Sequence, residues 1–400
     1  MATFGGFGVD AFNYTVYTFL IPTLMTTWHM STSQAGLVAT GSLVFSALGG
    51  WLAGILADRY GRVRILQVTI VWFSVFTVLN GFTHSFEMLM FTRTMQGLGF
   101  GGEWSVGSVL LAETIRPEHR GKAVGIMQSS WAVGWGLAAI TYAAVYSILP
   151  ETAAWRVLFW AGILPGVLVW WLCRNLQEPP VYIEIRRKVE SGESPSHFLR
   201  IFVLPILKIT ILASLLCMGM QGGYYSVTTW LPTYLRTVRN FTVSNAGGYL
   251  VVIITGSFIG YVTAALIIDR LGRRRTFILF AVAAATMVTA YMLVPVPDKV
   301  LLLLGLPLGF AVSGVFSGAG SFLSELYPND IRGSGQGFCY NFGRAAGSLF
   351  PTLIGFLSLR MGLGRAMGIF AVVAYGLLVI SAFCLPETKG KDLITVGPGA

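Results

Sequence analysis

The chain has 400 residues, of which 54% are hydrophobic and 11% charged, and its mean hydropathy is +0.70. Soluble domains carry about 25% charged residues, so this composition excludes an ordinary soluble protein. The formal charge of +10 raises nucleic acid as a partner, but the placement of that charge argues against it.

Twelve apolar stretches follow one another along the chain: 9–28, 35–56, 65–83, 86–112, 122–149, 155–176, 203–230, 246–268, 276–294, 300–323, 334–358 and 365–385. Each is close to the roughly 20 residues a helix needs to cross a bilayer. None shows the short alternating pattern of a membrane β-barrel. The first stretch lacks a basic leader and a cleavage site, so it reads as a span and not a signal peptide. The longest polar segment, 177–200, separates the spans six and six. It opens on Glu-Pro-Pro at 178–180, and a short amphipathic helix is expected at 181–190. The expected organisation is an N-terminal six-helix bundle at 1–176, a cytoplasmic linker at 177–200, a C-terminal six-helix bundle at 201–388 and a tail at 389–400. The other loops leave no room for a soluble catalytic domain.

If Arg59, Arg62 and Arg64 are placed inside, 19 of the 27 Lys and Arg fall on that side. Six fall outside (Arg156, Arg236, Arg239, Lys299, Arg360 and Arg365), and Arg93 and Arg344 lie within spans. The positive-inside bias therefore accounts for the charge. It predicts a multi-pass protein of the plasma (inner) membrane with both termini in the cytoplasm. Cys173, Cys217, Cys339 and Cys384 lie in apolar segments without metal-ligand spacing. The glycine-rich run at 333–337 lacks the phosphate-loop form. No cofactor or metal is expected.

One stretch occurs twice. Residues 54–64 read GILADRYGRVR and residues 266–275 read LIIDRLGRRR, which sets Asp58 against Asp269 and Gly61 against Gly272 at an offset of 211. Glu113 to Gly121 matches Glu325 to Gly333 at an offset of 212. A basic loop repeated at half the chain length indicates two homologous membrane halves.

These loops, RTMQGLGFGGEW at 93–104 and PETKG at 386–390 together resemble the major facilitator superfamily along the whole chain. The resemblance implies an all-α membrane fold of twelve transmembrane helices in two pseudo-repeated bundles, working by alternating access. DAFN at 10–13, followed by Pro22 and Trp28, and NFGRAAGSLFP at 341–351 are similar to segments of the proton-coupled organic-acid symporters, whose cargoes include aromatic acids, sialate, nicotinate and monocarboxylates. Two departures stand out. Asn13 occupies the second acidic position of the first-span motif. GWGLAA at 134–139 replaces the signature of drug–proton antiporters.

The repeat also serves as a control. Asp10, Arg93, Glu103 and Arg344 are ionisable residues inside spans, each costing about 2.5–3.5 kcal/mol at mid-membrane. At the repeat offset Arg93, Glu103 and Arg344 map to Gly305, Val315 and Ala132, and Asp10 maps near 220–222, so no counterpart is charged. A purely architectural need would recur in both halves. Arg344 lies 11 residues past Gly333, roughly 16 Å into the membrane, on a polar stripe with Tyr340, Asn341 and Ser348. Its guanidinium suits capture of a carboxylate. Gln128, Trp131, Tyr225 and Asn13 are further candidates for the substrate cavity. Asp10 and Glu103 are candidates for carrying a proton, with Arg93 as their electrostatic partner and an Arg93–Asp10 pair as a switch. Asp10 at the end of the first span could instead cap the helix. Asp58 and Asp269 are expected to cap the helices that follow them. Arg62, Arg120 and Arg273 are expected to pair with acids on the opposite half. By the family resemblance, such bridges hold the cytoplasmic gate closed, with Glu113, Glu325 and Arg332 among them.

The expected activity is proton-coupled uptake of a small organic anion, a monocarboxylate, by a monomeric carrier in the lipid bilayer. Two alternatives stay open: a carrier of a neutral sugar or polyol, and a non-transporting sensor on the same fold. An enzyme is not expected, because no histidine lies in a span and no nucleophile–base pair is evident.

Overall fold

The structure, a computed structural model, describes residues 2–114, 120–163, 166–167, 170–171, 178, 198–327 and 331–389. The expected helix at 181–190 and the tail from 390 onward lie outside them. Among the described residues there is no β-strand; long helices run back and forth across one slab.

In the N-terminal half these are α1 (Ala2–Trp28), α2 (Thr32–Tyr60), α3 (Arg62–Asn80), α4 (Phe86–Thr114), α5 (Arg120–Ile148) and α6 (Glu151–Ala161). In the C-terminal half, α7 (Ile206–Thr228) and α8 (Leu231–Thr237) form one rod. Then come α9 (Val243–Leu271) and α10 (Arg273–Leu293). A rod of α11 (Asp298–Gly314) and α12 (Ala319–Leu326) follows, then a rod of α13 (Arg332–Gly347) and α14 (Leu349–Met361), and last α15 (Leu363–Cys384). Twelve rods result, in two six-helix bundles.

Nine of the rods are apolar enough to cross a membrane by composition alone. α1 and α4 are not among them, because they carry Asp10 and Asn13, and Arg93, Gln96 and Glu103. Among the described residues α6 also falls short, with a helix of 11 residues.

The repeat is visible in the packing. Gly49 on α2 and its counterpart Gly260 on α9 each lie so close to the partner helix that an added Cβ would collide with the carbonyl of Leu98 or Phe310. Close backbone approach of this kind drives helix association where lipid removes the hydrophobic drive. At the repeated loops Gly61 (φ 112°) and Gly272 (φ 98°) hold a conformation that other residues rarely adopt.

The caps at these loops differ from expectation. The Glu178 carboxylate accepts from the backbone N–H of Arg62 (2.8 Å) and Val63 (2.9 Å), and Glu387 accepts from those of Arg273 (3.0 Å) and Arg274 (3.2 Å). An acid from beyond each bundle's sixth rod therefore satisfies the orphan amides of a helix start. The side chains of Asp58 and Asp269 lie outside what the structure describes.

Three rods of the C-terminal half are broken, two of them just ahead of a proline. Pro232 and Pro351 lack the N–H that would continue the helix, and α7 and α13 end just ahead of them. These two breaks touch, because the Trp230 indole N–H donates to the Pro351 carbonyl at 3.1 Å. The expected span 334–358 runs through the break at Pro351, whereas the expected span 203–230 stops ahead of α8.

Candidate functional site

α1 and α4 run antiparallel, and their registers decide which polar groups meet. α1 begins at Ala2, so Asp10 lies two turns inside the helix and is fully buried, not a cap at its end. At its level on α4 stands Glu103, 4% exposed. The two carboxyl groups are neighbours, and neither Asp10 oxygen has a hydrogen-bond donor. Arg344 of the other half is close enough to Asp10 for its charge to act on that carboxyl.

Further along the same two helices, Arg93 meets the 13–17 segment of α1. It donates to the Gln96 side chain (2.7 Å) and the Asn13 carbonyl (3.4 Å), and lies 4.7 Å from the centre of the Tyr17 ring. Gln96 in turn donates to Thr77 and accepts from Asn80. The expected Arg93–Asp10 pair is absent. Antiparallel packing puts Arg93 ten residues, about 15 Å along α4, from the level of the carboxyls. Asn13 also turns away from the centre: its amide donates to the carbonyls of Val9 (3.1 Å) and Gly162 (3.3 Å), where it packs α1 against α6.

Arg344, 2% exposed, reaches from α13 across the boundary between the halves. Its Nη1 donates to Ser46 of α2 at 3.0 Å, and its Nε–H has no acceptor. The guanidinium carbon lies 5.2 Å from the ring of Phe100, 5.5 Å from Trp104 and 5.1 Å from Tyr340. These are cation–π distances. Trp104 stacks on Tyr340 with ring centres 3.9 Å apart and planes within 10°. The Trp104 indole donates to Gln128 at 3.4 Å. Trp131 packs against Phe100 (6.1 Å) and Tyr14 (5.9 Å) and donates to the Tyr224 hydroxyl. Tyr225 lies 5.8 Å from Tyr14 and bonds Gln221, whose amide donates to the Tyr340 carbonyl. Arg344, Tyr340, Tyr225, Gln128 and Trp131 thus come together. Asn341 lies beside them on α13, with its amide on the Gly337 carbonyl and its oxygen unpartnered.

Sequence reasoning did not single out Phe100 and Trp104. They sit four residues apart on one face of α4, on either side of Glu103, and that spacing was the available signal. Ser46 carried no signal, since only the packing of α2 on α13 makes it a partner.

On the side away from the repeated loops the halves are fastened. Arg236 of α8 bonds Glu151 (3.1 Å), Tyr142 (3.2 Å) and Thr23 (3.3 Å) of the other half. Thr32 donates to the Gly355 carbonyl, and Thr40 meets Ser348 and Thr352. Arg273 pairs with Glu325 at 2.8 Å, but both belong to the C-terminal half. α12 ends beside the α9–α10 loop within its own bundle, so this pair stiffens one half. Arg62 donates to the Ala57 carbonyl at 2.9 Å. The side chains of Glu113, Arg120 and Arg332 lie outside what the structure describes.

Two repeated bundles joined around a buried polar centre are the architecture of a membrane transporter. The chain belongs to the Major Facilitator Superfamily, whose model matches residues 3–351 and 255–396. It is 40% identical over 396 residues to a probable 4-methylmuconolactone transporter of Cupriavidus pinatubonensis, covering 99% of this chain and 92% of that one. It is 27% identical to a cis,cis-muconate transport protein of Acinetobacter baylyi, covering 95% and 92%. It is 26% identical to a niacin transporter of the same species, covering 98% and 94%. A solved proton:xylose symporter bound to 6-bromo-6-deoxy-D-glucose superposes with a TM-score of 0.77 at 20% identity, covering 98% of this chain and 96% of that one. At that identity the likeness is one of fold.

Proposed function

We propose that this transporter carries a small organic monocarboxylate into the cell together with a proton. The observation that carries the reading is Arg344: a guanidinium buried between the halves, with an Nε–H that has no acceptor and no ion pair among the described residues. A carboxylate is the ligand whose shape and charge answer that fork. Tyr340, Asn341, Gln128, Trp131 and Tyr225 line the place it would occupy. The relative named for niacin supports a monocarboxylate, and the one named for muconate, a dicarboxylate, supports the broader class of organic acids.

Asp10 and Glu103 supply the proton site. Two neighbouring carboxyls can hold one proton between their oxygens, and Arg344, whose charge acts on Asp10, is the group the substrate would occupy. An anion at Arg344 and a proton on the pair make a neutral load, which avoids the cost of moving net charge through a low-dielectric core. Arg93 holds the first and fourth helices in the register that forms the pair. Arg273 and Glu325 stiffen the gate at the repeated loops, and Asp58, Arg62, Glu113, Arg120, Asp269 and Arg332 belong to that gate through the family resemblance. The basic repeated loops put that face, with both termini, in the cytoplasm of the inner membrane, and the carrier works as a monomer.

The test is uptake into proteoliposomes of labelled benzoate and labelled xylose, with and without an inward proton gradient. Accumulation of benzoate that collapses with the gradient is expected. Accumulation of xylose without benzoate overturns the reading in favour of a sugar carrier. Benzoate uptake indifferent to the gradient removes the proton.

A further inference from the structure

Trp104 and Tyr340 make an aromatic stack across the two halves, and they make it on the repeated-loop side of Arg344. We propose that this stack selects planar acids: the ring of the bound acid takes the place of Tyr340 on the Trp104 indole, and parting the two rings opens the site toward the repeated loops. The inference rests on carboxylate binding at Arg344.

Four observations support it. The rings are parallel within 10° at 3.9 Å, a geometry that any flat π-system can reproduce. The guanidinium carbon lies 5.5 Å and 5.1 Å from the two ring centres, so a carboxylate held there carries its attached ring to the stack. Trp104 is the fixed member, since its indole N–H is held by Gln128. Tyr340 has somewhere to go: at Gly337, one turn nearer the loops on the same helix face, a Cβ would meet nothing within 4 Å. The N-terminal half thus keeps the platform, and the C-terminal half carries both the guanidinium and the ring that covers the platform.

The experiment compares benzoate with cyclohexanecarboxylate, which has the same charge and a similar size but no flat ring. Half-saturation constants are measured on the full chain in proteoliposomes. Wild type is expected to prefer benzoate. Trp104→Leu should weaken benzoate by roughly 3- to 10-fold, the scale of one ring stack, and leave cyclohexanecarboxylate within about twofold. Trp104→Phe should restore the preference. Tyr340→Leu should have the opposite sign and tighten benzoate alone, because it uncovers the indole face; a loss of packing would not do so. Trp104→Leu that weakens both acids alike, or neither, overturns the inference. So does Tyr340→Leu that weakens benzoate. Arg344→Gln reports separately: unchanged constants for both acids sink the carboxylate reading, whatever Trp104→Leu does to selectivity.

Discussion

Replacing Arg344 with Gln removes the guanidinium while keeping a planar amide of similar reach. In the wild-type chain Nη1 is committed to Ser46 at 3.0 Å and the Nε–H is without an acceptor. A carboxylate on that edge gains one or two charge-assisted hydrogen bonds, each about 1.5–3 kcal/mol. The amide returns part of this as a neutral bond of about 1 kcal/mol. For the two-bond, bidentate case the net loss is about 2–5 kcal/mol, or roughly 30- to 4,000-fold in Kd. Calorimetric titration of purified protein with benzoate measures it, and benzamide is the control: it has the same ring without the charge, so its weak binding should not change. Arg344→Lys keeps the charge but not the planar fork and should fall between wild type and Gln. A loss below threefold in Arg344→Gln, or an equal loss for benzamide, refutes the electrostatic argument.

Three further outcomes are expected. Asp10→Asn and Glu103→Gln should abolish gradient-driven accumulation yet keep exchange of labelled for unlabelled acid; full accumulation in both variants would show that the pair does not carry the proton. Gly49→Ala and Gly260→Ala should each lower the melting temperature in detergent, because an added Cβ meets a backbone carbonyl, whereas Gly54→Ala has open space and should not. Equal effects at all three positions would refute the close-packing account. Glu151→Gln should change uptake less than about fivefold, since the Arg236–Glu151 pair is part-exposed at 18% and 49% and such pairs contribute about 0–1 kcal/mol. Arg236→Ala, which also strips Thr23 and Tyr142, should increase labelling of a cysteine at Thr229 from that face more than Glu151→Gln does; the reverse order would sink this account of the latch.

What could be read from the chain depended on how local the signal was. The spans, the repeat and Arg344 were legible, because apolar length, a basic loop and a charge in a greasy helix are properties of single segments. Asp10 and Glu103 stood out singly, but their pairing was not legible. It follows from the antiparallel register of α1 and α4, which no segment encodes alone. The same register separates Arg93 from Asp10, against expectation. The helix starts at the repeated loops are capped by Glu178 and Glu387, which lie 113 or more residues away in the chain and become partners only when the bundles close. Trp104 looked like part of a motif, and only the approach of α13 shows its face to be covered by Tyr340.

The two faces are held by contacts of different kinds, and this bears on how the halves part. At the latch the bonds are hydroxyl to carbonyl, hydroxyl to hydroxyl and one part-exposed ion pair. Each exchanges with water when the face opens, so each contributes only about 0.5–1.5 kcal/mol net. Nearer the loops, the described contacts between the halves include the stack of Trp104 on Tyr340 and the Arg344 bond to Ser46. Arg236–Glu151, an ion pair between the halves, is part-exposed, so its rupture strands no buried charge. Arg273–Glu325, the most buried ion pair among the described residues, lies within one half and moves with it. The strong contacts therefore stiffen each bundle, and the weak ones join the bundles. Differential binding of a carboxylate and a proton at the boundary is then of the right size to choose which face opens.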